Sequence, residues 1–155
     1  MERIPDKRPV WYIVNIEGAI VRSCDKKYLM MVRGAREEYF PGIVTFPGGK
    51  VEKAGFLDNV LEETLRREIL EEVGVNIHDE MVYVESHSFI GDGEPCVDVV
   101  FLCRYLSGDA VPGDRGEVES VHWMTYDEIF NHPDTQEWTK HSIRQVEQKR
   151  ISLNW

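Results

Sequence analysis

The sequence lacks several features that would place it in particular classes of protein. It has only three cysteines in 155 residues, an odd number with no metal-type spacing, so reduced thiols in a cytoplasmic protein are the simplest interpretation. Its first residues contain no apolar stretch suited to a signal peptide. No hydrophobic run approaches the length of a transmembrane helix. The sequence therefore predicts a soluble cytoplasmic protein with no membrane partner.

Positive charge is also scarce in this chain. It carries 18 Lys and Arg against 28 Asp and Glu, which gives a formal net charge of −10. Because a nucleic-acid backbone is bound by clustered Lys and Arg, this balance argues against nucleic acid as the main partner. A small phosphorylated ligand whose charge is met by bound metal stays compatible with it. The five histidines show no metal-ligand spacing and are interpreted as surface or core residues.

Length and patterning predict one mixed α/β domain over residues 1–155, with helices packed on a sheet. Strands are predicted over 11–23 with a bulge at Gly18, and over 27–33, 43–46, 81–89, 97–105 and 119–124. A Gly-Asp-Gly turn at 91–93 joins two of them. Helices are predicted over 59–73, 126–131 and 135–149, the last of them polar and lying on the surface.

The helix over 59–73 has the clearest pattern. An apolar side chain recurs every four residues and makes one stripe, at Leu61, Leu65, Ile69 and Val73. Asn59 followed three residues later by Glu62 resembles a capping box, and Gly74 fits the position after the last helical turn. The sequence therefore predicts where this helix begins and ends.

Three glutamates crowd one edge of this helix. Glu68, Glu71 and Glu72 stand at i, i+3 and i+4, where carboxylates repel each other unless a cation neutralises them. Glu68 and Glu72 fall beside the apolar stripe, whereas purely solvating acids would more naturally occupy the far face. This placement favours a cleft that binds a divalent metal. The alternative is a solvated helix edge with Arg66 and Arg67 as ion-pair partners.

The stretch around these glutamates resembles the Nudix box, whose pattern is Gly-x5-Glu-x7-Arg-Glu-U-x-Glu-Glu-x-Gly-U, with U an aliphatic residue. Gly49 matches the opening glycine. The second half matches at every fixed position, with Arg67, Glu68, Ile69, Glu71, Glu72, Gly74 and Val75. The five fixed non-aliphatic residues of this second half would coincide by chance on the order of once in ten thousand chains of this length, before the excess of Glu in this chain is allowed for. The resemblance covers roughly residues 8–150 and implies a Nudix-type α/β/α sandwich around a mixed β-sheet, with a loop–helix–loop metal site.

The first half of the box departs from the pattern. Asn59 stands where the first glutamate is expected, and Gly49 lies four residues too far upstream. The loop between strand and helix therefore carries an insertion, which a surface loop absorbs at little thermodynamic cost. Glu52, Asp58 and Glu62 are candidates for the role of the missing glutamate, and the sequence does not decide among them.

The resemblance also implies an activity, which is Mg²⁺- or Mn²⁺-dependent hydrolysis of a pyrophosphate bond in a nucleoside diphosphate linked to another group. By position it implies Glu68 and Glu72 as the principal metal ligands, and Glu71 as a further ligand or as the residue that orients the water. The Gly48 carbonyl is implied to complete the metal site. Arg67 is implied to hold a glutamate in place by a charge-assisted bond.

The general base and the residues that contact the nucleotide stay open. A helix glutamate is one candidate for the base, and Glu117 or Glu119 of a late acidic loop is another, although plain surface charge explains the last two equally well. Four aromatic residues are candidates to stack on a nucleobase, but the core is the better interpretation for each: Tyr39, Phe40, Phe46 and Phe89.

The substrate also stays open. A nucleoside triphosphate, with oxidised ones included, is the first choice, because the chain is short and lacks the added signatures of family members that act on ADP-ribose, NADH or coenzyme A. The alternatives are a hydrolase of ADP-ribose or a related nucleotide sugar, and a non-catalytic nucleotide-binding Nudix module. The altered first half of the box favours the module. The sequence does not fix the oligomeric state, and a homodimer is one option.

Overall fold

The computed structural model describes residues 7–53 and 55–155, and within these ranges the chain forms seven strands and three helices. The mixed α/β fold predicted from the sequence is confirmed. The strands are β1 (Ile13–Val21), β2 (Tyr28–Arg33), β3 (Val44–Thr45), β4 (Gly48–Lys50), β5 (Asn76–Gly91), β6 (Glu94–Ser107) and β7 (Val118–Met124), and the helices are α1 (Val60–Val73), α2 (Tyr126–Asn131) and α3 (Glu137–Leu153).

The strands form one mixed sheet. Its main order is β3-β2-β1-β6-β5, with β4 also paired to β1 and β7 to β2. β1 runs parallel to β6, and the other pairs are antiparallel. β1 changes partner along its length, since Glu17 pairs with Gly48 of β4 whereas Val21 pairs with Tyr28 of β2. The glycine-rich strand that leads to α1 therefore lies against the middle of the sheet.

Helices cover both faces of this sheet. α1 lies on one face, where Leu65, Ile69 and Val73 are wholly buried. α3 lies on the other face with buried Ile143 and Val146. The apolar stripe predicted for α1 is confirmed. The prediction of a surface-lying final helix is wrong for one side of α3, because widely spaced apolar residues on a polar helix are enough to bury that side.

The start of α1 differs from the prediction. Asn59 precedes the helix in a left-handed conformation, with φ 54°, and its side chain makes no capping hydrogen bond. A capping box needs an extended residue at this position, so that its side chain reaches the amide three residues on. The capping box predicted at Asn59 and Glu62 is therefore wrong.

The far end of α1 follows the prediction. Gly74 has φ 75°, and its N–H reaches the carbonyls of Ile69 and Leu70, as expected of a glycine that ends a helix. The loop that follows β6 also holds this end. The N–H of Gly113 donates to the carbonyl of Glu72 over 3.0 Å, and the N–H of Val111 donates to that of Val73 over 3.1 Å. The carboxyl end of α1 is thus fixed from outside the helix.

Gly18 does not form the predicted bulge. β1 and β6 keep a continuous register through Gly18 and Phe101. A Cβ added at Gly18 would stand 3.1 Å from methyl carbons of Leu65 and of Ile69. The glycine therefore allows the close approach of α1 to the sheet. A glycine within a strand is typical both of a bulge and of such a close approach, so the sequence pattern alone does not distinguish the two.

The hairpin of β5 and β6 is longer than predicted on both sides. The predicted turn is confirmed, with Asp92 and Gly93 at φ 51° and 78°, as a two-residue hairpin turn requires. The extra ladder residues include Asn76, Glu94 and Ser107, which are polar. Backbone hydrogen bonds continue past the apolar pattern, so periodicity alone underestimates these strands.

Candidate active site

The acidic edge of α1 lies against the two glycines of β4. The N–H of Gly48 donates to Oε2 of Glu72 over 3.0 Å. Gly49 lies against Glu68, so closely that an added Cβ would stand 2.4 Å from the carboxyl carbon. A side chain at position 49 would therefore force the Glu68 carboxyl to move. The structure therefore brings together Gly48, Glu68 and Glu72, three of the residues that the sequence analysis singled out.

The two glutamates are taken out of water without full compensation of their charge. Burial raises the pKa of Glu72 to about 8, although the N–H of Gly48 acts in the opposite direction and Glu68 adds to the rise. Burial also raises the pKa of Glu68, while the charge of Arg67 opposes that rise. Desolvated carboxylates that repel one another form a site which a cation would stabilise.

Arg67 joins several carboxylates at the edge of this site. Its Nη1 lies 2.9 Å from Oε1 of Glu68, 3.5 Å from Oε1 of Glu52 and 3.6 Å from Oε2 of Glu71. The first contact has the length of a charge-assisted hydrogen bond. Glu71 is exposed, unlike Glu68. Among the three residues considered for the missing box glutamate, it is Glu52 that the structure places beside Arg67.

Sequence reasoning missed a cation and a carboxylate at the end of β2. Arg33 Nη2 lies 2.6 Å from Oε2 of Glu37, and Arg33 Nε donates to the carbonyl of Tyr39 over 3.0 Å. The charge of Arg33 lowers the pKa of Glu72 and that of Glu37 raises it, so both lie near the acidic edge of α1. The irregular loop after β2 carries no periodic signal, and no spacing rule could have identified them.

A second pair of carboxyls lies close to the first. Burial raises the pKa of Glu17 well above its ordinary value, and the neighbouring Asp98 adds to that rise. Burial also raises the pKa of Asp98, to which Asn15 donates a hydrogen bond. The charge of Glu72 acts on Glu17 as well. The available sequence signal was a glutamate inside a mostly apolar strand, and the strand assignment gave that glutamate no role.

The two late-loop candidates for the general base are exposed. Glu117 and Glu119 flank Val118 at the start of β7, which pairs with Arg33 of β2. The carbonyl of Glu117 accepts a hydrogen bond from the N–H of Gly34 over 2.7 Å. Within the described residues neither carboxylate forms an ion pair or hydrogen bond with the glutamates of α1. Their part in catalysis stays a prediction.

The aromatic candidates divide into two groups. Phe46 is buried in the core, as interpreted from the sequence. Tyr39, Phe40 and Phe89 are exposed, so the core interpretation is wrong for these three. The ring of Phe40 lies edge-on to Trp138 of α3, 5.3 Å between centroids. Tyr39 and Phe40 lie in the irregular loop after β2, where no strand alternation directs side chains toward the core.

The side chains present fit a divalent cation, with one restriction. Across residues 7–53 and 55–155, no three His, Cys, Asp or Glu side chains stand close enough to hold a metal ion by themselves. Mg²⁺ is commonly held by one or two carboxylates together with water and substrate phosphates. Glu68 and Glu72, desolvated and lying against the glycines of β4, provide such a donor pair.

Gly49→Ala tests this arrangement. The added methyl group would displace the Glu68 carboxyl, and we expect activity to fall by about 100-fold, as for a misplaced catalytic group. The matched control is Gly55→Ala, where an added Cβ meets no described atom within 4 Å. Initial rates and thermal unfolding of both variants are the measurements. Equal activity of the two variants would show that catalysis does not depend on the close approach of Gly49 to Glu68.

Comparison with known proteins agrees with this geometry. The NUDIX domain model matches residues 16–146, and the chain belongs to the Nudix family. It is accordingly an enzyme of the pyrophosphohydrolase type that acts on nucleoside diphosphate derivatives. No curated protein sequence matches the chain significantly. No helix in the described part of the chain is long and apolar enough to cross a membrane.

Solved structures show the same fold. A MutT NUDIX hydrolase from Burkholderia pseudomallei is 25% identical, with a TM-score of 0.73 over 88% of this chain and 98% of the other. The MutT protein from Methanosarcina mazei Go1 is 18% identical, with a TM-score of 0.74 over 94% and 99%. The NUDIX domain of Shewanella oneidensis NrtR, solved with ADP ribose, is 18% identical, with a TM-score of 0.66 over 92% and 89%. The last two show a shared fold alone.

Proposed function

We propose that this chain is a Mg²⁺- or Mn²⁺-dependent hydrolase of a nucleoside triphosphate or a modified one. The observation that carries the proposal is the pair Glu68 and Glu72, desolvated and pressed against Gly48 and Gly49. A bound divalent cation neutralises phosphate oxygens and activates water in such a site. The formal net charge of −10 supports a small nucleotide partner over a nucleic acid.

The residues of the chain then have separate roles in this proposal. Glu68 and Glu72 bind the cation, with the carbonyl of Gly48 as a further ligand. Glu71 is a further ligand or orients the attacking water. Arg67 holds the Glu68 carboxylate in place through its 2.9 Å contact, and so acts as a positioning residue.

The remaining assignments also belong to this proposal. Glu117 or Glu119 is the general base unless Glu71 takes that role. Cytoplasmic location agrees with the state of the cysteines in the described residues, since Cys24, Cys96 and Cys103 are all free thiols. A single domain over residues 1–155 and a homodimer stay predictions.

A second candidate function is hydrolysis of ADP-ribose or a related nucleotide sugar. The observation that favours it is the similarity in fold to a NUDIX domain solved with ADP ribose. A non-catalytic nucleotide-binding module is the third candidate, favoured by the missing first glutamate of the box. The pairing of Arg67 with Glu68 argues against a module, because a binding module has no need of a positioned metal ligand.

A substrate panel separates these functions. The protein is mixed with Mg²⁺ and, in turn, nucleoside triphosphates, an oxidised guanine triphosphate, ADP-ribose and a nucleotide sugar, and released phosphate, pyrophosphate and monophosphate are measured. We expect a triphosphate to be hydrolysed at the highest kcat/KM. Preference for ADP-ribose or the sugar would favour the second function. Binding of a nucleotide without turnover of any panel member would refute the proposal that the chain is a hydrolase and would favour the binding module.

A further inference from the structure

The segment before β1 and the tip of the β5–β6 hairpin share an apolar surface. Val10 and Trp11 line one surface groove together with Pro95 of β6. Ile90 of β5 pairs directly with Pro95, and the side chains of directly paired residues lie beside each other on one face of a sheet. The four side chains therefore form one continuous surface. We call Val10, Trp11, Ile90 and Pro95 the hairpin-tip patch.

The large side chains of the hairpin-tip patch are exposed to solvent. Trp11 is 82% exposed, Ile90 70% and Val10 63%. By contrast, Ile16 and Ile20 of the strand that follows are wholly buried. Single exposed apolar side chains are common on proteins, whereas a contiguous group of them marks an interaction site. The patch is therefore a surface that a partner would cover.

The fold leaves the hairpin-tip patch open to a partner of protein size. β5 is the last strand in the order of the sheet, and in the described part of the chain it pairs with β6 alone. Proteins commonly protect such an edge with a bulge, a proline or a lysine. Over residues 85–91 the ladder of β5 is regular, and this stretch contains neither proline nor lysine. A second chain can therefore approach the tip from the side.

The area of the patch matches the apolar part of a protein–protein interface. At their observed exposures, Val10, Trp11 and Ile90 present roughly 400 Å² of apolar surface. An interface of standard size buries about 800 Å² on each partner, of which about 57%, or roughly 450 Å², is apolar. The hairpin-tip patch therefore supplies most of the apolar area that a stable dimer needs.

Charges of opposite sign border the same groove. Arg8 lines it from the segment before β1, and Glu94 lines it from the hairpin. In a two-fold contact whose axis passes between these two residues, Arg8 of one copy faces Glu94 of the other. A patch with an apolar centre and both charges at its rim is thus complementary to itself. An anionic membrane surface fits less well, because it would meet a protein with a formal net charge of −10.

We propose that the hairpin-tip patch binds a second copy of this chain in a two-fold dimer. Trp11 and Ile90 form the centre of the contact, and contacts between Arg8 and Glu94 of opposite copies set its register. Tryptophan is one of the residues that contribute most binding energy at the centre of an interface. Glu68 and Glu72 do not line the groove, so the inference does not rest on the proposed function.

Sedimentation equilibrium of the full chain tests this contact. We expect a monomer–dimer equilibrium with a Kd of about 10 µM or lower, as for other interfaces of standard size. Trp11→Ser should raise the Kd by at least about 30-fold, as for the loss of a residue that dominates an interface. Ile90→Ser should raise it about tenfold through the loss of apolar burial. A protein that stays monomeric up to about 200 µM would overturn the dimer.

Leu106→Ser is the matched control for these two variants. Leu106 is also an exposed aliphatic residue of the hairpin, but it lies at the far end of β6 from Pro95. We expect its Kd to stay within about twofold of that of the unmodified protein. Thermal unfolding checks that every variant is folded. An unchanged Kd in folded Trp11→Ser and Ile90→Ser, or an equal rise in Leu106→Ser, would show that the patch is not the interface.

Exchange of the two rim charges tests the two-fold geometry. Arg8→Glu and Glu94→Arg each place like charges opposite one another in a dimer of identical chains, and we expect each to raise the Kd about tenfold. In an equimolar mixture of the two variants, every such contact joins opposite charges again. The mixture should therefore dimerise about as tightly as the unmodified protein. Unchanged association of either variant alone, or no recovery in the mixture, would contradict the proposed register.

Vesicles distinguish a membrane from a second copy as the occupant of the patch. The unmodified protein is sedimented with vesicles of phosphatidylcholine and with vesicles that also contain phosphatidylserine, and we expect it to stay in the supernatant with both. Binding of a monomeric protein to either kind, lost in Trp11→Ser, would assign the patch to a membrane and overturn the dimer. These measurements need neither metal nor turnover, so their outcome and that of the substrate panel are independent.

Discussion

Glu72→Gln is expected to remove most Mg²⁺-dependent hydrolysis while leaving the fold intact. We expect kcat/KM to fall by about 10²–10³, the usual loss for one essential electrostatic group. The amide has the shape of the carboxyl, and its oxygen still accepts the hydrogen bond that the N–H of Gly48 now donates over 3.0 Å. What disappears is the negative charge that a hard cation needs. The measurement is the initial rate against Mg²⁺ concentration.

Glu63→Gln is the matched control for this experiment. Glu63 lies in the first turn of α1 and is exposed, so its substitution changes the net charge equally without touching the site. We expect its rate to stay within twofold of the unmodified protein. Full activity of Glu72→Gln would refute the assignment of Glu72 as a metal ligand. Equal losses in both variants would indicate a general effect of charge.

The metal-free protein is expected to lose stability as the pH rises from about 5 to 9. The pKa of Glu72 is about 8 in the folded protein against an ordinary value of 4.5. The folded state therefore binds more protons than the unfolded state in this window, and the free energy of unfolding falls with pH. The contribution is complete below pH 4.5 and is lost as the pH passes 8. Its full size is on the order of 5 kcal/mol.

Urea unfolding at several pH values, in EDTA and in MgCl₂, measures this effect. Mg²⁺ should raise the stability most at the alkaline end, where the carboxylate is free to bind it. In EDTA, Glu72→Gln should show a shallower decline than the unmodified protein. A decline remains in that variant because burial also raises the pKa of Glu17 and Glu68. Identical pH profiles of the two proteins would contradict the role of Glu72.

The sequence predicted the elements with strong periodicity and the site residues that share one helix. The stripe of α1, its final Gly74 and the turn at 91–93 were all predicted, because local chemistry determines them. The insertion before α1 obscured the start of that helix. Asn59 adopts a left-handed conformation, which no capping pattern indicates.

The parts of the site that depend on tertiary structure could not be predicted. Glu17 and Asp98 are 81 positions apart and meet only because β1 and β6 are parallel neighbours. Register between distant strands is set by packing of the whole sheet, and a single sequence does not encode it in any short pattern.

The attachment of the last turn of α1 to Gly113 and Val111 has a consequence for how this protein tolerates changes of length. The helix is held at its carboxyl end and by its buried stripe. The loop before it therefore has little influence on the positions of Glu68 and Glu72. Because a longer or shorter flexible loop changes the entropy of loop closure only slightly, residues can be added to or removed from that loop at small cost in stability. The four additional residues of this chain are therefore a natural place to graft a reporter or an affinity tag.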